Sequence, residues 1–147
     1  MSKATDRDKA WEACARYCKV RDCLQDRGFA YLGICITCSR NNHIANLEAG
    51  HAISGRRNAV LFAEKLIHPQ CRHCNQVLHG HQKKYRKILA ERYGQEWMDM
   101  MERRAKRVIK NDQIDFVKMR KGIERRYKKM MERHGFHTWS QLLQMGR

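Results

Sequence analysis

Long apolar runs are missing from this chain. No stretch approaches the length a helical membrane span needs, which excludes that class of integral membrane protein. Proline occurs once in 147 residues and glycine is unremarkable, with no internal repeat and no low-complexity tract. One domain with an appendage fits such a chain better than an array or a linker. Aliphatic content is moderate, so a small core stapled by a metal is expected rather than a large self-sufficient one. Acidic residues are scarce: 15 Asp and Glu stand against 31 Lys and Arg, leaving a net charge of +16. That excess calls for a polyanionic partner, with nucleic acid the first choice. A basic membrane-surface helix competes, but the apolar faces are interrupted and modest.

Nor is an apolar leader expected, since Ser2 to Lys9 is polar. The seven cysteines are odd in number. Together these point to a reducing cytoplasm, where clustered cysteines bind metal more often than they form disulfides. A disulfide-stapled secreted domain is the alternative set aside.

What the chain does have is Cys35-x-x-Cys38 and Cys71-x-x-Cys74, with Asn75 directly after the last thiol. Two pairs at this spacing read as one tetrahedral zinc site, because each short turn aims two sulfurs at one point. A site closed by four thiolates has no open position, so this zinc would hold the fold and do no chemistry. Any chemistry must come from what it clamps together, namely His51 and Asn75.

In chain order, Lys9 to Gln25 puts Trp11, Cys14 and Cys18 on one helical face, with Arg16, Lys19 and Asp22 largely off it. Thr5 or Asp6 can cap its start and Gly28 its end. Cys14, Cys18 and Cys23 lack knuckle spacing and read as small buried hydrophobes. Phe29 to Ile34 suits an extended lead-in, and Ser39 to Asn46 a polar turn. Asn46 to Ile53 and Ala59 to Ile67 look strand-like, joined by Ser54-Gly55-Arg56-Arg57-Asn58 into a hairpin with two arginines at its tip. Pro69 forbids helix before Cys71, and helix can begin at the second knuckle. Apolar stripes then follow on Leu78, Tyr85, Ile88 and Leu89, on Trp97, Met101, Ala105 and Val108, and on Phe116, Met119, Ile123, Tyr127 and Met130. Gly94 and Gly135 are stops, Asp112 and Asp115 suit the positive end of the third helix, and Thr138-x-x-Gln141 looks like a capping box for a short last one. The expectation is an α+β, mostly helical chain: an N-terminal helical segment over 1–28, a zinc-bound core over 29–94 and a basic helical extension over 95–147.

Knuckle, hairpin with a histidine, second knuckle and helix opening on Asn resemble, in that order, a ββα-metal nuclease of the His-Asn-His class on a treble-clef zinc frame. Phosphodiester hydrolysis needs a base to activate water, a cation to stabilise the leaving oxygen and cationic groups to hold the phosphate. His51 can be the base, being neutral near pH 7. Asn75 can offer an amide oxygen to Mg²⁺ or Mn²⁺.

More closely, Ala49-Gly50-His51, Leu61-Phe62-x-Glu64, Ile67-His68-x-Gln70-Cys71, Cys74-Asn75, Tyr85 and Tyr93-Gly94-Gln95-Glu96 resemble the NinG (Rap) family of lambdoid phage recombination nucleases. Arg21-Asp22-Cys23-Leu24 is similar to sequences ahead of the knuckle in that family, and the likeness runs over roughly residues 15 to 105. It implies a structure-specific endonuclease that cuts D-loops and Holliday junctions. Glu48 stands where the family usually has Asp, Leu66 where it has Asn, and His79-Gly80-His81 where it has Ser-Gly-Asn. His79, four residues after Asn75, would share a helical side with it and could add an imidazole to the catalytic ion.

The remaining polar residues each carry a second reading. Glu48, in a strand, points away from His51 unless the backbone bulges, so it is either a supporting acid or a surface carboxylate. Glu64 is similar, on the return strand. His68 packs or hydrogen-bonds near the hairpin base. Asn75 could simply cap a helix. Arg56, Arg57, Lys83, Lys84, Arg86 and Lys87 are placed to grip phosphates, and the runs Arg103-Arg104-x-Lys106-Arg107 and Arg125-Arg126-x-Lys128-Lys129 extend a track that follows a backbone without reading bases.

The expected function is a zinc-stabilised, metal-dependent endonuclease on branched or duplex DNA. A homodimer could use the Phe116 to Met130 stripe, which packing within one chain explains equally well. Leu66 favours the rival, a non-catalytic DNA-binding module. An RNA-directed protein is the second rival.

Overall fold

The computed structural model describes residues 2–136 and 138–146. Helix α1 (Asp6–Arg27) starts on Thr5, whose side chain and that of Asp8 complete a reciprocal cap, and stops at Gly28 in the left-handed conformation. Its buried residues include Cys14, Cys18 and Cys23, the small-hydrophobe reading of these thiols. Asp22 is buried with them, against the expected outward position: its carboxylate is taken up by Arg21 and by His68 across the chain.

Strands β1 (Leu32–Ile34) and β2 (Asn41–His43) form a short antiparallel pair around the first cysteine turn. Strand β3 (Leu47–His51) then pairs with β4 (Ile67–Cys71), Leu47 opposite Cys71 and His51 opposite Ile67. The return strand is therefore not Ala59 to Ile67. Asn58–Leu61 is a helical turn, α2, and Glu64–Leu66 a 3-10 turn. A four-residue apolar run fits a buried helical turn as well as a strand, and periodicity cannot separate the two. Pro69 sits inside β4, its missing N–H harmless while its carbonyl accepts from Ile36 N at 2.9 Å.

No continuous helix follows the second cysteine pair. A wide turn over His73–Val77 breaks at His79, Gly80 and His81, all left-handed, and α3 (Gln82–Tyr93) begins only afterwards. Leu78 lies ahead of that break and stays partly exposed instead of joining the Tyr85–Leu89 face. Gly94 ends α3 and α4 (Gln95–Ala105) follows. Val108 falls past the end of α4 and is 87% exposed, so it leaves the stripe expected for it. Helix α5 (Phe116–Arg133) is capped by Asp115, which accepts from Lys118 N at 2.9 Å, and α6 (Trp139–Gln144) by Thr138.

Three apolar clusters hold these parts together. Tyr85, Leu89, Met98 and Met101 pack with Val60 and Leu66. Val20, Ile44 and Leu47 pack with Met131 and Leu142. Cys14, Cys18, Ile67 and Ile123 form the third, with Trp11 and Ala49 beside them. The α5 stripe is thus spent largely inside the chain, against α1 and the hairpin.

Candidate functional site

The register Leu47–Cys71 brings the second cysteine pair to the base of the hairpin, where the β1–β2 turn carries the first. The four Sγ atoms of Cys35, Cys38, Cys71 and Cys74 lie within 4.8 Å of one another. Cys38 and Cys71 are 3.8 Å apart, the edge of a tetrahedron whose Zn–S bonds are about 2.3 Å. The donor set fits zinc and could hold it. Burial works to raise the Cys35 thiol, but hydrogen bonds from Thr37 and from the backbone of Cys71 and Cys38 outweigh it and bring it down to about 6. Burial pushes Cys74 up to about 12. Metal uptake here therefore displaces protons.

Alternation along β3 sends Glu48 and Gly50 to one face and Ala49 and His51 to the other. On the first face the Glu48 carboxylate accepts from Asn75 Nδ2 at 2.7 Å and from Gln76 Nε2 at 2.5 Å. Gln70 lies across Gly50: a Cβ there would stand 2.0 Å from Gln70 Oε1, which is why the motif has glycine at this position. Gln70 Nε2 donates to Thr37 Oγ1 at 3.1 Å and to Gly80 O at 2.9 Å, tying the left-handed turn to the same face. Tyr85, fully buried, reaches Gly50 O and Leu66 O from its hydroxyl.

His51 faces the opposite way, with its ring centroid 6.4 Å from that of Trp11 on α1. Nε2–H donates to Val60 O at 3.0 Å and Nδ1 accepts from Ile53 N at 3.1 Å. Burial holds its pKa below the ordinary imidazole value. The expected pairing of His51 with Asn75 is not formed: among the described residues Asn75 bonds Glu48 instead. His79 does not share a helical face with Asn75, because its φ of 51° takes it off the helix; it is exposed.

Glu64, expected on a strand near the site, is in the 3-10 turn and makes a two-pronged ion pair with Arg126 of α5 at 2.5 and 3.0 Å. His68 is buried and donates from Nδ1 to Asp22 at 2.5 Å, with Nε2 3.0 Å from Lys65 O. Burial alone would raise Asp22, but His68 and Arg21 hold it below the usual carboxylate range. Of the six cations expected to grip phosphate, Arg56, Arg57, Lys83, Lys84 and Lys87 are exposed. Arg86 pairs with Glu102 at 3.6 Å. Arg56 pairs with Asp8 at 3.5 Å and lies over the Trp11 ring, while Arg57 reaches Ala105 O at 3.4 Å. Sequence reasoning named Gln70 and Tyr85 only as motif residues and missed Gln76 as a partner of Glu48; for Gln70, a glutamine inside an otherwise buried strand was the available signal.

Fold and cluster together define the class: a mixed α+β, mostly helical protein built around four cysteines able to hold zinc. The chain belongs to the Bacteriophage Lambda NinG protein family, whose model matches residues 4–133. That family is linked to phage recombination. A search of curated proteins and one of solved structures returned no match. No helix among the described residues is long and apolar enough to cross a membrane.

Proposed function

We propose that the chain is a metal-dependent endonuclease that hydrolyses phosphodiester bonds in branched DNA, D-loops and Holliday junctions included. The observation that carries this is the contact of the Glu48 carboxylate with the Asn75 carboxamide, beside the cysteine cluster and close in sequence to Lys83, Lys84 and Lys87. Glu48 and the Asn75 Oδ1 atom would hold Mg²⁺ or Mn²⁺, hard ions suited to oxygen donors, and the ion would stabilise charge on the leaving 3′ oxygen. Gln76 and Asn75 orient the carboxylate. His51 lies across the strand from this ion, with both ring nitrogens bonded to Val60 and Ile53, so its part is to hold the hairpin that carries Glu48.

A second reading has a specific observation in its favour. Both His51 nitrogens are satisfied internally and the ring lies away from Asn75, as suits a protein that binds branched DNA without cutting it. Cleavage of a synthetic four-way junction, a D-loop and linear duplex with Mg²⁺ or Mn²⁺, beside Glu48→Gln, Asn75→Ala and His51→Ala, decides. The nuclease reading expects cleavage by the unaltered chain, loss of at least about a hundredfold in Glu48→Gln and Asn75→Ala with junction binding retained, and a smaller loss in His51→Ala. No cleavage by the unaltered chain gives the binding-only reading.

A further inference from the structure

Helix α4 ends in a cluster that the site above does not use. Met100, Arg103, Arg104 and Arg107 are spaced i, i+3, i+4 and i+7, one side of a helix carried a little past its last turn. With Ile109 they line a cleft of about 430 Å³. No acid lines it, and none of the three arginines forms an ion pair among the described residues. Cations in the last turn of a helix offset its dipole, which accounts for Arg103 and Arg104 but not for Arg107 beyond the end.

The floor is apolar and unusually bare. Met100 is 48% exposed, and Val108 beside the cleft 87%. The loop that closes it is fixed in place: Asn58 Nδ2 donates to Ile109 O at 2.9 Å and Asn111 Oδ1 at 2.7 Å, and Arg57 reaches Ala105 O. Guanidinium groups around exposed carbon, on a rigid frame, suit a ligand that offers a phosphate and a flat apolar face at once. An unpaired nucleotide has both; a duplex turns its phosphates outward and hides its bases, leaving the floor unused.

We propose that this cleft is a second nucleic-acid site, which holds an unpaired nucleotide of a DNA strand. The guanidinium groups of Arg103, Arg104 and Arg107 take the phosphates, and the base lies on Met100 and Ile109. The choice of DNA over RNA rests on the proposed function; the single-strand preference does not. A branch point exposes such nucleotides, so the cleft lets a protein without a sequence-reading element favour branched DNA.

The test is fluorescence anisotropy of the full chain, without divalent ion, on oligothymidylate, an abasic strand of equal length, a duplex of equal phosphate number and an RNA strand. Oligothymidylate is expected to bind about tenfold more tightly than the abasic strand, the effect of burying one base against the apolar side chains of Met100 and Ile109. Met100→Ser, an exposed position that leaves folding intact, should erase that difference and leave abasic binding unchanged. The Arg103→Ala, Arg104→Ala, Arg107→Ala triple variant should weaken single-strand binding and reduce the slope of log affinity against log salt by about 2. Equal binding of abasic and normal strands, single-strand binding unaffected by the triple variant, or tighter binding of RNA overturns the proposal. These readings are independent of cleavage: a junction left uncut with oligothymidylate preference intact refutes the nuclease and keeps the cleft.

Discussion

On one face of the β3–β4 hairpin, Ala49, His51 and Ile67 turn toward α1 and settle among Trp11, Cys14 and Cys18. On the other, Glu48 and Gly50 turn toward Gln70, Asn75, Gln76 and the Gly80 turn. The first face is closed by apolar contact and satisfies its one imidazole internally. The second gathers the Glu48 carboxylate with the carboxamides of Asn75 and Gln76 in hydrogen-bond contact, and exposed cations come next along the chain. The proposed ion site lies on the face that is polar and partly exposed, while His51 lies on the one built for packing.

The sharpest way to break this comparison is to remove what both faces stand on. Stripping metal with a strong chelator, or Cys71→Ser, should abolish cooperative thermal unfolding altogether, since structural zinc contributes on the order of 10 kcal/mol in small domains. A calorimetric transition that survives would show that the hairpin stands without the cluster. Next in size, Gly50→Ala drives a methyl into Gln70 Oε1 and should cost about 2–3 kcal/mol in urea unfolding. Adding Gln70→Ala should recover part of that loss, as expected if the clash on the Glu48 face is the cause.

A smaller effect separates the faces by pH. The folded pKa of His51 is depressed by burial, so its contribution is full above about pH 6.5 and is lost as pH falls through the folded value. The melting temperature of the unaltered chain should drop between pH 7 and pH 5 more than that of His51→Gln. Asp22, also depressed, contributes above about pH 4 and loses its share only in stronger acid. Smallest of all on stability, Glu48→Gln should shift unfolding by under about 1 kcal/mol. The same variant should weaken Mn²⁺ binding measured by calorimetry, so that stability and ion affinity part company on this face alone.

Much of the frame was legible in order along the chain. Thr5 and Gly28 bracket α1, Gly94 ends α3, Asp115 caps α5 and Thr138 caps α6, because caps and stops are local chemistry within a few residues. The cysteine pairs were legible for the same reason. The return strand was not, since a short apolar run such as Ala59 to Phe62 is compatible with either backbone and its choice rests on partners such as Tyr85 and Phe116. Val108 was misplaced on a helical stripe because nothing local announces that α4 ends at Ala105.

By itself the sequence determined the four thiols at knuckle spacing, the basic surplus and the family likeness, all of which follow from residue identity and short-range spacing. Only the tertiary structure decided that Asn75 meets Glu48 and not His51, that Glu64 belongs to Arg126, and that an acid-free cleft closes over the end of α4. Strand register and the break at His79 to His81 settle those meetings. Both are outcomes of packing between segments far apart in the chain, where one residue of slip exchanges the two faces of a strand.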